Sequence, residues 1–267
     1  MRRVVIVPTL LTLGNAVCGL ASIAYASRIG KDGFSRDLDF YYLAASGWFI
    51  LAAMAFDAAD GYFARLFKSA GRFGAELDSL CDAISFGAAP AFLLLQLGPQ
   101  WDQPRWHQLT AAVATLYLMC TILRLARYNV EAIDGIGSGK RFRGLPSPAA
   151  AGCIASLAVF RGDLAQLWPA YDQPALHFGL SIAAVLGALF VALLMVSNLP
   201  YPHLTKSLLR GRGVALAVPA ALLLVFFREL ALVLLFWAYA VWGFGRTLWA
   251  HVAAHRSVLG ADDRLRH

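Results

Sequence analysis

The sequence predicts an all-α, polytopic membrane helix bundle of about eight transmembrane helices, and three observations carry that prediction. The 267 residues are 59% hydrophobic and 15% charged, with a mean hydropathy of +0.61, far from the balance of a soluble domain. The apolar residues gather into runs, the well-formed ones close to the roughly 20 residues that a bilayer crossing takes. They lie near 8–27, 41–64, 73–97, 107–128, 147–161, 177–197, 213–227 and 229–248. With the N-terminus placed in the cytoplasm, the inside segments hold 17 basic residues and the outside segments 6, as the positive-inside rule demands.

Each span has its own warrant. The first follows Arg2-Arg3 and closes on Ala24-Tyr25-Ala26, the outline of a secretory signal. Pro8, Thr9, Thr12, Gly14 and Asn15 make its apolar run long and interrupted, so a retained first span is expected. The second and third carry acids, treated below. The fourth ends on Arg124 and Arg127, and the fifth and seventh are short. Arg228-Glu229 interrupts an apolar stretch too long for one crossing, which predicts a hairpin before the eighth span. Most of the seven tryptophans, Trp48, Trp101, Trp106, Trp168, Trp237, Trp242 and Trp249, sit at span ends, as interfacial anchors do. No repeat, low-complexity linker or soluble appendage divides the chain, so one membrane domain over 1–267 is expected, with C-terminal helices at about 177–248.

The same features exclude other classes. The net charge of +7 follows from topology and attraction to anionic head groups, with no nucleic-acid partner required. Cys18, Cys81, Cys120 and Cys153 fall within spans and lack a C-x-x-C spacing, which predicts buried thiols. His251 and His255 have i, i+4 spacing but no third ligand nearby, and are expected on a solvated tail.

Residues 57–82 break the apolar pattern. Asp57 and Asp60 are three apart, Asp78 and Asp82 four apart, and on helices each pair shares one face. Carboxylates at membrane depth mark a functional site by default. Two facing helices would gather four of them, an assembly untenable without cations. Hard, oxygen-only ligands favour magnesium, manganese or calcium over zinc. Asp57 is eight residues before Arg65, roughly 12 Å along a helix, so all four acids are expected below the cytoplasmic interface and short of the midplane. Gly61 and Ala64 continue the Asp57–Asp60 face and leave room for close helix packing or for a flat ligand; Arg65 follows and suits a phosphate. Glu76 lies off the Asp78–Asp82 face.

The pattern D-x-x-D-G-x-x-A-R, eight residues, then G-x-x-x-D-x-x-x-D resembles the signature of the CDP-alcohol phosphotransferases. It is matched at Asp57, Asp60, Gly61, Ala64, Arg65, Gly74, Asp78 and Asp82. PTLLTLGNAVCG, FGAELDSLCDAISFGAAPA, LRLARYN and RFRGLPSPAAAG, spread over roughly the first two thirds of the chain, are similar to integral-membrane phosphatidylserine synthases. Thr9 departs from that pattern, where relatives usually carry asparagine. The resemblance implies a six-helix core and transfer of the phosphatidyl group from CDP-diacylglycerol to L-serine, releasing CMP. It implies a divalent cofactor, Mg2+ or Mn2+ and two ions, held by Asp57, Asp60 and Asp78 with a contribution from Asp82. Asp82 is also the implied base; Gly61, Ala64, Arg65 and Gly74 line the CDP pocket. Arg124, Arg127, Asn129 and Arg143 are the candidates for holding the acceptor. A homodimer in the cell membrane, with both termini and the active site cytoplasmic, completes the expectation. Two alternatives stand beside it: a sister enzyme using inositol phosphate, glycerol phosphate or choline, and an ion-coupled transporter, whose site would sit near the midplane.

Overall fold

The computed structural model describes residues 6–30, 36–67, 71–99, 104–133, 142–167, 174–197, 199–201 and 228–262. Along them run α1 (Ile6–Ala26), α2 (Arg36–Leu66), α3 (Arg72–Asp82), a π-helical segment (Ala83–Ala88), α4 (Ala89–Leu97), α5 (Pro104–Ile133), α6 (Ser147–Leu167), α7 (Pro174–Val196) and α8 (Arg228–Asp262). The one departure from helix among the described elements is a two-residue antiparallel ladder. In it β1 (Phe142–Arg143) pairs with β2 (Pro200–Tyr201), Phe142 opposite Tyr201.

Among the described residues, six units are long and apolar enough to cross a membrane: α1, α2, the continuous run from α3 through α4, α5, α7 and α8. The all-α membrane bundle is therefore observed. The predicted span at 213–227, and with it the first arm of the hairpin before Arg228, lies outside the described residues. The eighth span, expected at 229–248, is observed as the apolar stretch Arg228–Arg246, and the helix that carries it continues to Asp262.

The fifth span, short in sequence at 147–161, is a helix of 21 residues, or about 31 Å at 1.5 Å per residue. Its small residues and its Arg161 and Asp163 lower its apolar signal. Its position explains why that is tolerated. Ala150, Ala151, Cys153, Ala155, Ala158 and Val159 are all fully buried, so much of this helix meets protein instead of lipid. Small residues let its neighbours approach closely. A Cβ added at Gly47 of α2 would stand 2.7 Å from the Ala155 carbonyl oxygen, and one at Gly162 would stand 2.7 Å from that of Phe40. Around this centre α1 packs along α2, α2 and α8 pack on α6, and α5 packs on α7. Outward-facing residues of α1 form an apolar stripe, Ile6, Leu10, Leu13, Val17 and Leu20, each at least 43% exposed; such a face suits lipid.

Contacts show which helix ends lie together. Arg161 Nη1, late in α6, donates to the Leu97 carbonyl at the end of α4 (2.8 Å) and to Ser181 Oγ near the start of α7 (2.9 Å). Arg228, opening α8, pairs with Asp163 at 3.5 Å and lies over the Trp48 ring at 5.1 Å. Trp106 of α5 meets Phe178 of α7. These ends share one pole of the bundle, and the acids occupy the other. One tryptophan corrects the anchor reading. Trp237 is half-buried, touches Gly187 and donates from Nε1 to the Cys153 carbonyl at 3.2 Å, locking α8 onto α6. Trp101, Trp168 and the Trp249 side chain lie outside the described residues. The four thiols are free; Cys81, Cys120 and Cys153 are buried and Cys18 half-buried.

Candidate active site

Asp57 and Asp60 lie three residues apart in α2, and Asp78 lies in α3. The predicted facing of those two helices is observed: one oxygen from each of the three carboxylates lies within 4.8 Å of the others. Asp60 is 6% exposed. Asp60 Oδ2 and Asp78 Oδ1 are buried without a hydrogen-bond partner. Buried polar atoms are ordinarily satisfied, and carboxylates this close repel unless a cation lies between them. The donor set is all oxygen, and it fits a divalent metal. Asp57, Asp60 and Asp78 are thus a cluster able to hold one.

Asp82, the fourth acid, stands apart from that group of three. It is 8% exposed and its Oδ1 accepts a hydrogen bond from Asn15 Nδ2 of α1 at 3.0 Å. Asn15 is fully buried and its own carbonyl accepts from Ser85 Oγ at 2.9 Å. Ser85 belongs to the π-helical segment that begins directly after Asp82. Such segments recur at functional sites because they re-aim side chains within a helix. Tyr117 of α5, fully buried, donates to the Phe86 carbonyl within it at 3.0 Å. In the sequence Asn15 registers only as an interruption of the first apolar run. The signal that could have found it is that an amide at membrane depth needs a partner.

Two of the signature's other positions, Gly61 and Gly74, border open space. A Cβ at Gly74 would meet nothing within 4 Å, and one at Gly61 would meet only the Arg65 guanidinium at 3.6 Å. Arg65 is exposed at the end of α2, Ala64 half-buried beside it. Glu76 is exposed.

Three of the four acceptor candidates come to the same pole. Arg124 is 9% exposed; its Nη1 donates to Ser147 Oγ at 2.7 Å, and its charge acts on both Asp82 and Asp57. Arg127 Nη1 reaches the Val196 carbonyl at 3.4 Å. Asn129 Oδ1 accepts from Ser79 Oγ at 3.1 Å, one residue beyond Asp78. Arg143 lies in β1, its side chain outside the described residues. The turn after it is built on Gly144, whose φ of +82° favours glycine. Gly144 N donates to the Leu199 carbonyl and Leu145 N to that of Leu194, tying this turn to the end of α7. Tyr239 of α8 also lies within the field of Arg124. Sequence reasoning missed Ser147 and Tyr239, whose roles depend on helix packing.

The family model for CDP-alcohol phosphatidyltransferase matches residues 5–196. The chain belongs to this family. The matched region ends with α7, so it comprises the six units α1, α2, α3–α4, α5, α6 and α7, and α8 lies beyond it. Among curated members, the CDP-diacylglycerol–serine O-phosphatidyltransferase of Helicobacter pylori is 30% identical over 200 residues, covering 74% of this chain and 73% of that one. The archaetidylserine synthase of Methanothermobacter thermautotrophicus is 34% identical over 201 residues, covering 73% and 69%. The CDP-diacylglycerol–serine O-phosphatidyltransferase of Saccharomyces cerevisiae is 32% identical over 153 residues, 55% of this chain and 51% of that one.

Proposed function

We propose that this CDP-alcohol phosphatidyltransferase is a phosphatidylserine synthase: it transfers the phosphatidyl group of CDP-diacylglycerol to the hydroxyl of L-serine and releases CMP. The observation that carries the reading is the three-carboxylate cluster of Asp57, Asp60 and Asp78, set within the signature, with the charge of the buried Arg124 acting on Asp57. The relatives' names support the acceptor, since the bacterial, archaeal and yeast proteins have serine in common.

In this reading Asp57, Asp60 and Asp78 hold divalent cations, Mg2+ or Mn2+, with Asp82 at their edge. Bound there, a cation withdraws charge from pyrophosphate oxygens and stabilises departing CMP. The open space beside Gly61 and Gly74 admits the nucleotide, with Ala64 lining it and Arg65 on a phosphate. Asp82, held at Oδ1 by Asn15, keeps Oδ2 to take the serine proton as the oxygen–phosphorus bond forms and the bond to CMP breaks. Arg124 and Arg127 attract the serine carboxylate, and Asn129 and Arg143 border the entry. The acids face the cytoplasm in this reading, with both termini on that side and diacylglycerol chains remaining in lipid. The enzyme acts as one domain and pairs as a homodimer.

The test is to incubate purified protein with CDP-diacylglycerol, L-serine and either metal. CMP and phosphatidylserine should appear in equal amounts. Product with inositol phosphate, glycerol phosphate or choline in place of serine would transfer the chain to a sister activity.

A further inference from the structure

Two buried polar atoms beside Asp82 lack a protein partner, and they are of opposite kind. Asn15 has committed its amide nitrogen to Asp82 Oδ1. A carboxylate only accepts, so the amide orientation is set, and Asn15 Oδ1 is left as a buried acceptor with no donor. On α5, Arg124 has committed Nη1 to Ser147, and its Nε is left as a buried donor with no acceptor. Asp82 is tied to both residues, by a hydrogen bond to Asn15 and by charge to Arg124.

Neither group is free to turn aside. Asn15 is fastened through its backbone carbonyl to Ser85, and one turn further on Gly19 lies so close to Ser85 that an added Cβ would stand 2.8 Å from its Cα. Arg124 is buried between Ser147 and the acids. Buried polar atoms are ordinarily satisfied, so two held this firmly without a protein partner call for one from outside the chain. An α-amino acid bears a donor-only ammonium and an acceptor-only carboxylate on one carbon. In serine the hydroxyl lies one carbon away. Its complement is an acceptor, a donor and a proton-taking carboxylate, which is the set at Asn15, Arg124 and Asp82.

We propose that Asn15 sets acceptor specificity: its Oδ1 accepts a hydrogen bond from the acceptor's ammonium group, while Arg124 holds the carboxylate and Asp82 faces the hydroxyl. The inference rests on the serine-transfer reading and deepens it. Phosphorylated acceptors such as glycerol phosphate carry no ammonium and would leave the Asn15 carbonyl unmatched.

The experiment compares three acceptors on the purified full chain at saturating Mn2+, with lipid products read by mass spectrometry. The acceptors are L-serine, 3-hydroxypropanoate (no ammonium) and ethanolamine (no carboxylate). In Asn15→Leu, the ratio of kcat/KM for L-serine over 3-hydroxypropanoate should fall about 10–100-fold, the loss expected for a hydrogen bond to a charged group. The L-serine over ethanolamine ratio should hold. Arg124→Gln should show the reverse pattern. Ratios cancel whatever either change does through Asp82. Asn15→Ser, which keeps an oxygen acceptor in less volume, should give an intermediate ratio, and it serves if the leucine variant does not assemble. Equal losses on all three acceptors would make Asn15 only an anchor for Asp82 and overturn the assignment. A shift in half-saturating Mn2+ with unchanged ratios would put the carbonyl at the metal and overturn it as well. Wild-type protein that makes no phosphatidylserine would sink the serine-transfer reading itself, a result distinguishable from the other two.

Discussion

Replacing Asp60 by asparagine should make the metal-free protein more stable while nearly silencing it. Asn keeps the shape of the side chain and removes one charge. The three carboxylates approach within 4.8 Å, where each ionised pair repels by about 3.5 kcal/mol at an effective dielectric near 20. Asp60 belongs to two such pairs, so neutralising it relieves about 7 kcal/mol where all three are ionised. Even a third of that, about 2 kcal/mol, is a large fraction of ordinary folding stability. Its Oδ2 has no hydrogen bond to lose.

The sign must reverse when metal is present. A ligand that binds only the folded state stabilises it by about 2.7 kcal/mol at a hundred times its Kd, and the variant, with one carboxylate fewer, gains less. The assay is thermal unfolding of both proteins in detergent, with chelator and with a Mn2+ titration, beside phosphatidyl transfer. Asp60→Asn should melt above wild type in chelator and below it in Mn2+. Its turnover should drop roughly 10³-fold or more, since metal stabilisation of the transition state amounts to several kcal/mol and about 1.4 kcal/mol is tenfold. If the variant melts no higher in chelator and both proteins shift equally with Mn2+, the acids do not share a cation.

Three further outcomes follow from the same geometry. Asp82→Asn preserves an oxygen for Asn15 and should lose transfer by about 10²–10⁴-fold, the usual weight of a general base, with CDP-diacylglycerol affinity kept; poor nucleotide binding rescued by more metal would make Asp82 a ligand instead. In a background without the native cysteines, single cysteines at 28–40 and 98–106 should react with an impermeant reagent on intact cells, whereas labelling at 66–72 would invert the orientation. Gly47→Leu drives a side chain into the Ala155 carbonyl, 2.7 Å from where its Cβ would stand. It should cost about 1–3 kcal/mol, seen as a lower melting temperature with unchanged KM for serine; unchanged stability would mean that α2 and α6 are not in contact there.

What could be read from the chain depended on how local the signal was. Asp57, Asp60 and Asp78 were legible because helical spacing puts each pair on one face and a bilayer tolerates no idle acids. The convergence of α2 and α3 followed only through the cation that two acidic faces need between them. The central helix α6 was underestimated for the opposite reason. Hydropathy measures fitness for lipid, and the buried part of this helix meets protein, so alanine, glycine and serine served it better than leucine. Trp237 was misplaced as an anchor because it lies in the middle of its span and faces inward, where Gly187 opposite leaves room for the ring.

Asn15 shows the limit most clearly. Nothing in the first span names its partner, which lies 67 residues away in sequence on a different helix. The π-helical turn is equally silent, since AISFGA has no residue that demands it. Yet these two features decide how Asp82 is presented. The cluster of three can hold a cation whatever the acceptor, but choosing among acceptor alcohols requires groups that meet the acceptor's own charges. The polar side chains gathered near Asp82 come from distant helices, here α1, α5 and the start of α6. The acidic pattern was therefore legible in a short local stretch, whereas the contacts of Asn15 with Asp82 and of Arg124 with Ser147 belong to the packed bundle.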